Sequence, residues 1–187
     1  MKPLTLYHST TELYLPSILK EGLGKINPNE KFGILEFLRH LYSLCMLYLK
    51  DYYHFKEIEF ATTGMVNQTR KNGFNFIHNK TYLSFLEEIA IRYSLNRCGS
   101  ELLSRALILY EMLKKNGYKD HIDYSLTSID FEKLSSNKYQ NILLKVKNIN
   151  PNYLETEQGG NAIKAIVEMN KLKEMDFETF QLRLQNL

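Results

Sequence analysis

The sequence is poor in cysteine, the residue that builds disulfide and many metal frameworks, with two among its 187 residues; tryptophan is absent. Cys45 and Cys98 stand apart from any Cys-x-x-Cys or mixed Cys/His cluster, which argues against a disulfide scaffold and against a zinc site. We therefore predict no metal. Two free thiols in a lysine-rich chain are typical of a reducing, cytoplasmic location.

Long apolar runs and strong charge of one sign are also missing. No apolar signal segment follows the first residues, and the stretch from Leu41 to Leu49 is too short and too interrupted to span a bilayer. We expect no membrane partner. The formal net charge of +3 permits contact with nucleic acid without predicting it.

Aromatic and aliphatic side chains are plentiful instead, with 13 tyrosines, 10 phenylalanines and a hydrophobic fraction of 44%. A tyrosine combines a flat apolar face with a hydroxyl, so it suits both a core and a stacking site. This composition and the chain length fit one globular domain covering residues 1–187.

The first third of the chain predicts a strand, a short helix and a long helical insertion. Leu4 to Tyr7 favours a strand that ends at His8, and the hydroxyl residues after it suit the cap of a helix from Leu13 to Lys20. Apolar residues at helical spacing then predict a helix from Ile34 to Phe55, an insertion at about 34–56.

The middle of the chain mixes polar loops with helices. The run from Ala61 to Gly64 indicates a strand end or loop, and residues 66–80 an exposed loop. A short strand is predicted from Thr81 to Phe85, followed by helices over 87–96 and 100–115.

Strand patterns dominate after Gly117. We predict strands over 122–129, 141–147 and 162–169, and a short terminal helix over 177–187. The fold class is therefore α+β, with helical insertions that interrupt a sheet.

The strongest functional signal begins at Tyr7. The run Tyr7-His8-Ser9-Thr10 is followed by Ile18-Leu19-Lys20-Glu21-Gly22-Leu23. This pattern resembles the first motif of the ADP-ribosyltransferase superfamily, in its diphtheria-toxin-like and poly(ADP-ribose) polymerase-like (His-Tyr-Glu) branch. In that branch a strand ends in His-Gly-Thr, and the next helix leads to Ile-Leu-x-x-Gly-Leu.

A second segment is similar to the second motif of the same superfamily. Tyr82-Leu83-Ser84 looks like its Tyr-Phe/Leu-Ala/Ser strand, and Ala90-Ile91-Arg92-Tyr93 looks like the Ala-x-x-Tyr of the following helix. The eleven-residue step from Tyr82 to Tyr93 matches the spacing of the two tyrosines that enclose nicotinamide in polymerase-like members.

The resemblance implies an ADP-ribosyltransferase-like fold, a split and mainly antiparallel sheet core. It also implies a mono-ADP-ribosyltransferase that takes NAD⁺ as substrate, releases nicotinamide and modifies a macromolecular acceptor, protein or nucleic acid. Small members of this kind often act as toxins or effectors.

The residue types suit that chemistry. The positively charged nicotinamide ring stacks well between the phenol faces of Tyr82 and Tyr93. The resemblance implies that His8 hydrogen-bonds a ribose hydroxyl, that the Ser9 backbone holds the carboxamide, and that Thr10 or Ser84 adds further bonds. Twisting and sheltering the bound dinucleotide then favours loss of nicotinamide through an oxocarbenium-like state.

The chain departs from the family pattern in two places. Ser9 stands where the family has glycine. In the third motif, active members carry a catalytic glutamate near the start of a late strand, and here the candidates are Glu168 first and Glu157 second. If neither serves, Ile163 is the apolar substitute found in some mono-ADP-ribosylating members.

Two other interpretations remain open at the level of sequence. The chain could be a catalytically silent NAD⁺-binding or interaction module of the same fold, which the unclear third glutamate favours. It could also be an RNA 2′-phosphotransferase-like enzyme, although its arginines lack the arrangement that grips a phosphate in that family. The basic loop from Thr69 to Lys80 is either solvated or a contact for a macromolecular substrate.

Overall fold

The computed structural model describes residues 4–95, 98, 100–136, 139–156 and 159–173. These residues divide into two compact units. The larger covers residues 6–145, and the smaller comprises the described residues before 6 and after 145.

The described residues form both helices and strands, which confirms the α+β class. The helices are α1 (Leu15–Glu21), α2 (Pro28–Lys31), α3 (Ile34–Tyr48), α4 (Tyr53–Asn67), α5 (Glu87–Ser94), α6 (Glu101–Lys115), α7 (Phe131–Ser135) and α8 (Ala162–Lys173). The strands are β1 (Leu4–Thr11), β2 (Arg70–Lys71), β3 (Phe74–Asn75) and β4 (Asn141–Ile149).

The core of the larger unit is built by helices. On α3 and α6 the buried side chains recur every three or four residues, so each helix turns one apolar face inward. They are Ile34, Phe37, Leu38, Leu41 and Cys45 on α3, and Leu102, Leu103, Ala106, Leu107, Leu109, Tyr110 and Leu113 on α6. The sheets described are two-stranded, so this helical core differs from the sheet-centred core that the resemblance implied.

The predicted helix from Ile34 to Phe55 is wrong in its continuity. The predicted range covers α3 and the first residues of α4, which are separate helices. Helix α4 folds back on α3, so that the hydroxyls of Tyr42 and Thr63, 21 residues apart in sequence, lie 2.9 Å from each other. A continuous helix would hold them about 30 Å apart. Both segments have helical periodicity, so the sequence pattern does not mark the turn between them.

The prediction of a strand end or loop over residues 61–64 is also wrong, because α4 continues to Asn67. The loop predicted beyond it contains a hairpin, in which β2 and β3 pair antiparallel with Lys71 opposite Phe74. Asn72 and Gly73 form its turn, both with positive φ. Asn-Gly is the commonest two-residue hairpin turn, so the signal was present in the sequence.

Strand β1 lies between two partners. It pairs with β4 in one sheet, and Tyr7 forms an antiparallel bridge with Ser84. The strand runs on to Thr11 rather than ending at His8. The prediction that hydroxyl residues cap the next helix is wrong, because the residue before α1 is Tyr14 and no side chain caps that helix.

In the smaller unit the predicted strand over residues 162–169 is wrong, because these residues belong to helix α8. The Asn161 side chain accepts a hydrogen bond from the Lys164 amide at 3.1 Å, which satisfies a donor in the first turn. Ala162 and Ile166 are buried, and they lie four residues apart, on one face of the helix.

The predicted strand over residues 122–129 is wrong as well. Short 3₁₀ turns occupy Lys119–His121 and Tyr124–Leu126, and the Asp123 carboxylate accepts a hydrogen bond from the Ser125 amide. Such a local bond competes with strand pairing. The predictions for α5, α6 and β4 are confirmed to within a few residues. The predicted terminal helix over 177–187 lies outside the described residues.

Candidate functional site

Strand β1 brings the two sequence motifs together. The Tyr7 amide donates to the Ser84 carbonyl at 2.8 Å, and the Ser84 amide donates to the Tyr7 carbonyl at 2.7 Å. This pair of bonds seats the Tyr82-Leu83-Ser84 segment beside the strand that carries His8. The strand that carries His8 and the Tyr82-Leu83-Ser84 segment are therefore neighbours.

The imidazole of His8 is held against the second motif by a hydrogen bond of 2.8 Å between Nδ1 and the Tyr82 carbonyl oxygen, across 74 residues of sequence. A carbonyl oxygen only accepts, so Nδ1 carries the proton and donates. Burial lowers the pKa of His8 from its ordinary 6.5, an effect that the hydrogen bond from Nδ1 opposes in part. At neutral pH the ring is therefore uncharged, and Nε2 is an acceptor.

The side chain of Tyr82 is fixed at its far end. Its hydroxyl donates to the Ile77 carbonyl at 2.8 Å and accepts from the Asn75 amide group at 3.1 Å. The residue is 40% exposed, so part of the ring is open to a ligand. Hydrogen bonds at the backbone carbonyl and at the hydroxyl hold Tyr82 at both ends.

Asn75 is a contributor that the sequence interpretation missed. Besides its bond to Tyr82, its side-chain oxygen accepts from the Ile77 amide at 3.2 Å, which closes an Asx turn directly after β3. Asparagine favours such turns, but its role depends on the hairpin, which had not been predicted.

The second tyrosine of the motif, Tyr93, lies near the end of α5 and is 51% exposed.

Helix α5 begins three residues after Ser84. The Ser84 hydroxyl is engaged within this connection, donating to the Leu86 carbonyl at 2.8 Å and accepting from the Leu86 amide at 3.2 Å. Ser84 thus shapes the entry to α5.

Ser9 and Thr10 occupy opposite faces of β1, because side chains alternate along a strand. Thr10 is buried and shares its face with His8. The Ser9 hydroxyl is buried and has no hydrogen-bond partner within the described part of the chain.

The backbone of Ser9 points to the same edge of β1 as the backbone of Tyr7, since edge-facing groups recur every second residue. Tyr7 and Ser84 form an isolated bridge, so the pairing with the second motif does not extend to Ser9. The Ser9 amide and carbonyl, directly after His8 in the strand, make no backbone hydrogen bond to residues 81–84. They are therefore a donor and an acceptor that this segment does not use.

The two carboxylates proposed for the third motif differ in their placement. Glu168 lies on helix α8 of the smaller unit, partly buried, so its expected position on a late strand is wrong. Glu157 lies outside the described residues. Ile163, the apolar alternative, is on the same helix as Glu168.

Searches of protein-family models, curated proteins and solved structures find no match. Any functional inference thus depends on the residues described above. Within the described ranges no group of three or more histidine, cysteine or acidic side chains is arranged to hold a metal ion. No helix there has the length and apolar character needed to cross a membrane.

Proposed function

We propose that the chain binds NAD⁺ with its nicotinamide end at His8 and Tyr82, and that it is an ADP-ribosyltransferase-type enzyme. The observation that carries the proposal is the contact between the two motifs, the Tyr7–Ser84 bridge together with the His8–Tyr82 hydrogen bond. Two segments that resemble the nicotinamide-binding motifs of one superfamily thus lie next to each other. This adjacency supports a shared nicotinamide site.

The chemistry of the site suits this ligand. The neutral His8 ring offers Nε2 as an acceptor for a ribose hydroxyl. The Ser9 amide could donate a hydrogen bond to the carboxamide oxygen of nicotinamide, and the Ser9 carbonyl could accept one from the carboxamide nitrogen. The partly exposed rings of Tyr82 and Tyr93 offer faces for the cationic pyridinium, whose charge favours stacking on phenol rings.

In the proposed reaction the bond between nicotinamide and ribose breaks, and the electron pair leaves with nicotinamide. An oxygen or nitrogen of a macromolecule forms the new bond to the ribose carbon and releases a proton to solvent. Fixed dipoles around the ribose would stabilise the oxocarbenium-like state. Glu168 remains the first carboxylate to test for this role.

The decisive experiment measures NAD⁺ binding by calorimetry and nicotinamide release by chromatography on the full chain. We expect His8→Ala and Tyr82→Ala to weaken NAD⁺ binding at least about tenfold, because each removes a direct contact. His54→Ala and Tyr153→Ala are matched controls, since both side chains are largely exposed and lie outside the motifs. Absence of NAD⁺ binding by the unmodified chain overturns the proposal.

A second candidate is an NAD⁺-binding module without transferase activity. The placement of Glu168 on a helix favours it, because active members carry the catalytic glutamate on a strand. Binding that depends on His8 and Tyr82, with no nicotinamide release in the presence of protein and nucleic-acid acceptors, would select this candidate. Release that is lost in Glu168→Gln would select the enzyme.

A further inference from the structure

A surface groove of about 550 Å³ lies between helix α4 and the β2–β3 hairpin. It lies outside the NAD⁺ site proposed above. The residues that line it include three basic ones, one phenylalanine, one asparagine and one glycine. They are Lys56, Phe60, Gly64, Asn67, Arg70 and Lys71.

Three phenylalanines form one aromatic cluster that meets this groove at Phe60, the member that lines it. Phe76 is buried beside Gly64, whereas Phe60 is 44% and Phe74 is 60% exposed. The ring centroids of Phe74 and Phe76 lie 6.0 Å apart in a stacked arrangement, and Phe60 meets Phe74 edge to face at 6.5 Å. Large aromatic faces left open to solvent indicate a binding surface.

The cluster is bordered by positive charge. The Lys71 ammonium lies 5.5 Å from the centroid of the Phe60 ring, and its strand position pairs with Phe74 across the hairpin. Lys56 and Arg70 line the same groove, together with one carboxylate, Glu59. The lining residues carry a net charge of +2 (three cations and one anion), although Lys56 also pairs with Asp51, at 3.0 Å between Nζ and the carboxylate.

We propose that this groove binds single-stranded polynucleotide. Each nucleotide offers one flat base and one phosphate, which matches exposed phenylalanine faces bordered by lysine and arginine. A double helix fits the groove less well, because its bases are stacked on one another and their faces are not accessible to phenylalanine. An acidic peptide also fits less well, because it has negative charges but no regularly spaced aromatic rings. The inference does not rest on NAD⁺ binding.

The test is fluorescence anisotropy of a labelled 12-nucleotide RNA and the DNA of the same sequence, titrated with the full chain at 50 and 200 mM salt. Each phosphate that the groove neutralises predicts a loss of affinity of roughly 2.6-fold between these salt concentrations. We expect Phe74→Ala to weaken binding at least about fivefold, and Phe74→Tyr to retain it because the stacking face is kept.

The charge contribution is tested by Lys71→Gln, which should lower the slope of log affinity against log salt by about 0.7. Lys133→Gln is its matched control, because Lys133 also lies over an aromatic ring, 5.0 Å from the centroid of Tyr139, but far from the groove in sequence. Tyr153→Ala controls for loss of an exposed aromatic ring.

Tight binding of either RNA or DNA with these variant effects supports the proposal and identifies the preferred polymer. Three results would overturn it: no binding of either strand, equal affinity for the corresponding duplex, or equal losses from Lys71→Gln and Lys133→Gln. Displacement of the oligonucleotide by polyglutamate at the same concentration of charge would also overturn it, because the groove would then be a general polyanion site.

Discussion

His8 is the residue whose protonation state decides what its ring can do. Its Nδ1 is committed to the Tyr82 carbonyl, so Nε2 is the ring nitrogen that the proposed NAD⁺ site would use. Because burial lowers the pKa of His8 below 6.5, the ring stays neutral under ordinary conditions and Nε2 remains an acceptor. Protonation would turn this acceptor into a donor and place a positive charge beside the cationic nicotinamide of the proposed ligand.

The first prediction concerns pH. NAD⁺ affinity should decline as the pH falls, with a midpoint below 6.5, because burial lowers the folded pKa of His8. Calorimetric titrations at half-unit steps of pH measure it. A midpoint at or above 6.5 would contradict the assignment of Nε2 as acceptor.

The same shift affects stability in a defined direction. As pH decreases through 6.5, His8 of the unfolded chain gains its proton before His8 of the folded chain. Unfolding is therefore favoured progressively between 6.5 and the folded pKa. In His8→Gln this part of the pH dependence of the urea midpoint should disappear.

The second prediction concerns the hydroxyl of Tyr82, which makes hydrogen bonds with Ile77 and Asn75. Tyr82→Phe should lower the free energy of unfolding by about 0.5–1 kcal/mol, because both bonds are solvent-exposed and are lost together. Asn75→Ala should have a similar effect. Urea denaturation measures both, with Tyr153→Phe as the control that should change nothing.

Tyr82→Phe should also weaken NAD⁺ binding less than Tyr82→Ala, since phenylalanine keeps the ring face. Equal losses from the two substitutions would mean that the hydroxyl, and not the ring, contacts the ligand.

At the residue scale, the sequence predicted that His8 and Tyr82 belong to one site because each stood in a recognisable motif, but it did not predict the hydrogen bond between them. It did not predict Asn75, since the contact of Asn75 with Tyr82 depends on where the β2–β3 hairpin places it. It also assigned Ser84 a ligand-binding role, whereas its hydroxyl is engaged with Leu86. A side chain that stabilises a site by shaping a turn is not part of a sequence motif, so a motif comparison does not identify it.

At the scale of elements, the contact between α4 and the hairpin depends on one glycine. A Cβ at Gly64 would lie 2.3 Å from an atom of the buried Phe76 ring. The third prediction is that Gly64→Ala destabilises the chain by about 1–3 kcal/mol, in spite of the better helix propensity of alanine, because neither partner has room to move.

Thermal and urea unfolding of Gly64→Ala give this value. Adding Phe76→Leu, which provides a smaller side chain opposite the new methyl group, should recover part of the loss. A gain in stability from Gly64→Ala alone would contradict the close packing of α4 against the hairpin.

Element prediction from the sequence succeeded where periodicity and a cap agreed. Helix α6 is an example, since the Ser100 side chain accepts from the Leu103 amide and apolar residues follow at helical spacing. It was wrong over residues 162–169, where a run rich in aliphatic residues favoured a strand. The Asn161 side chain, which accepts from the Lys164 amide in the first turn of α8, was the competing signal for a helix.

At the scale of the larger unit, stability should depend chiefly on the faces that α3 and α6 bury. The fourth prediction is that Leu107→Ala lowers the free energy of unfolding by about 2–5 kcal/mol, because the side chain is fully buried. Leu47→Ala, at a site 68% exposed on α3, should change it by less than about 0.5 kcal/mol. Similar losses from both would contradict the helical core.

The central position of β1 has a consequence for synthesis of the protein. This strand is synthesised before both of its partners, Ser84 and β4, which lie far along the chain. At about 5–20 residues per second, β1 waits of the order of ten seconds for β4 to emerge. The helices between them can associate earlier, so the edges of β1 are completed last, and a nascent chain stopped before β4 would carry an unpaired strand edge that invites aggregation.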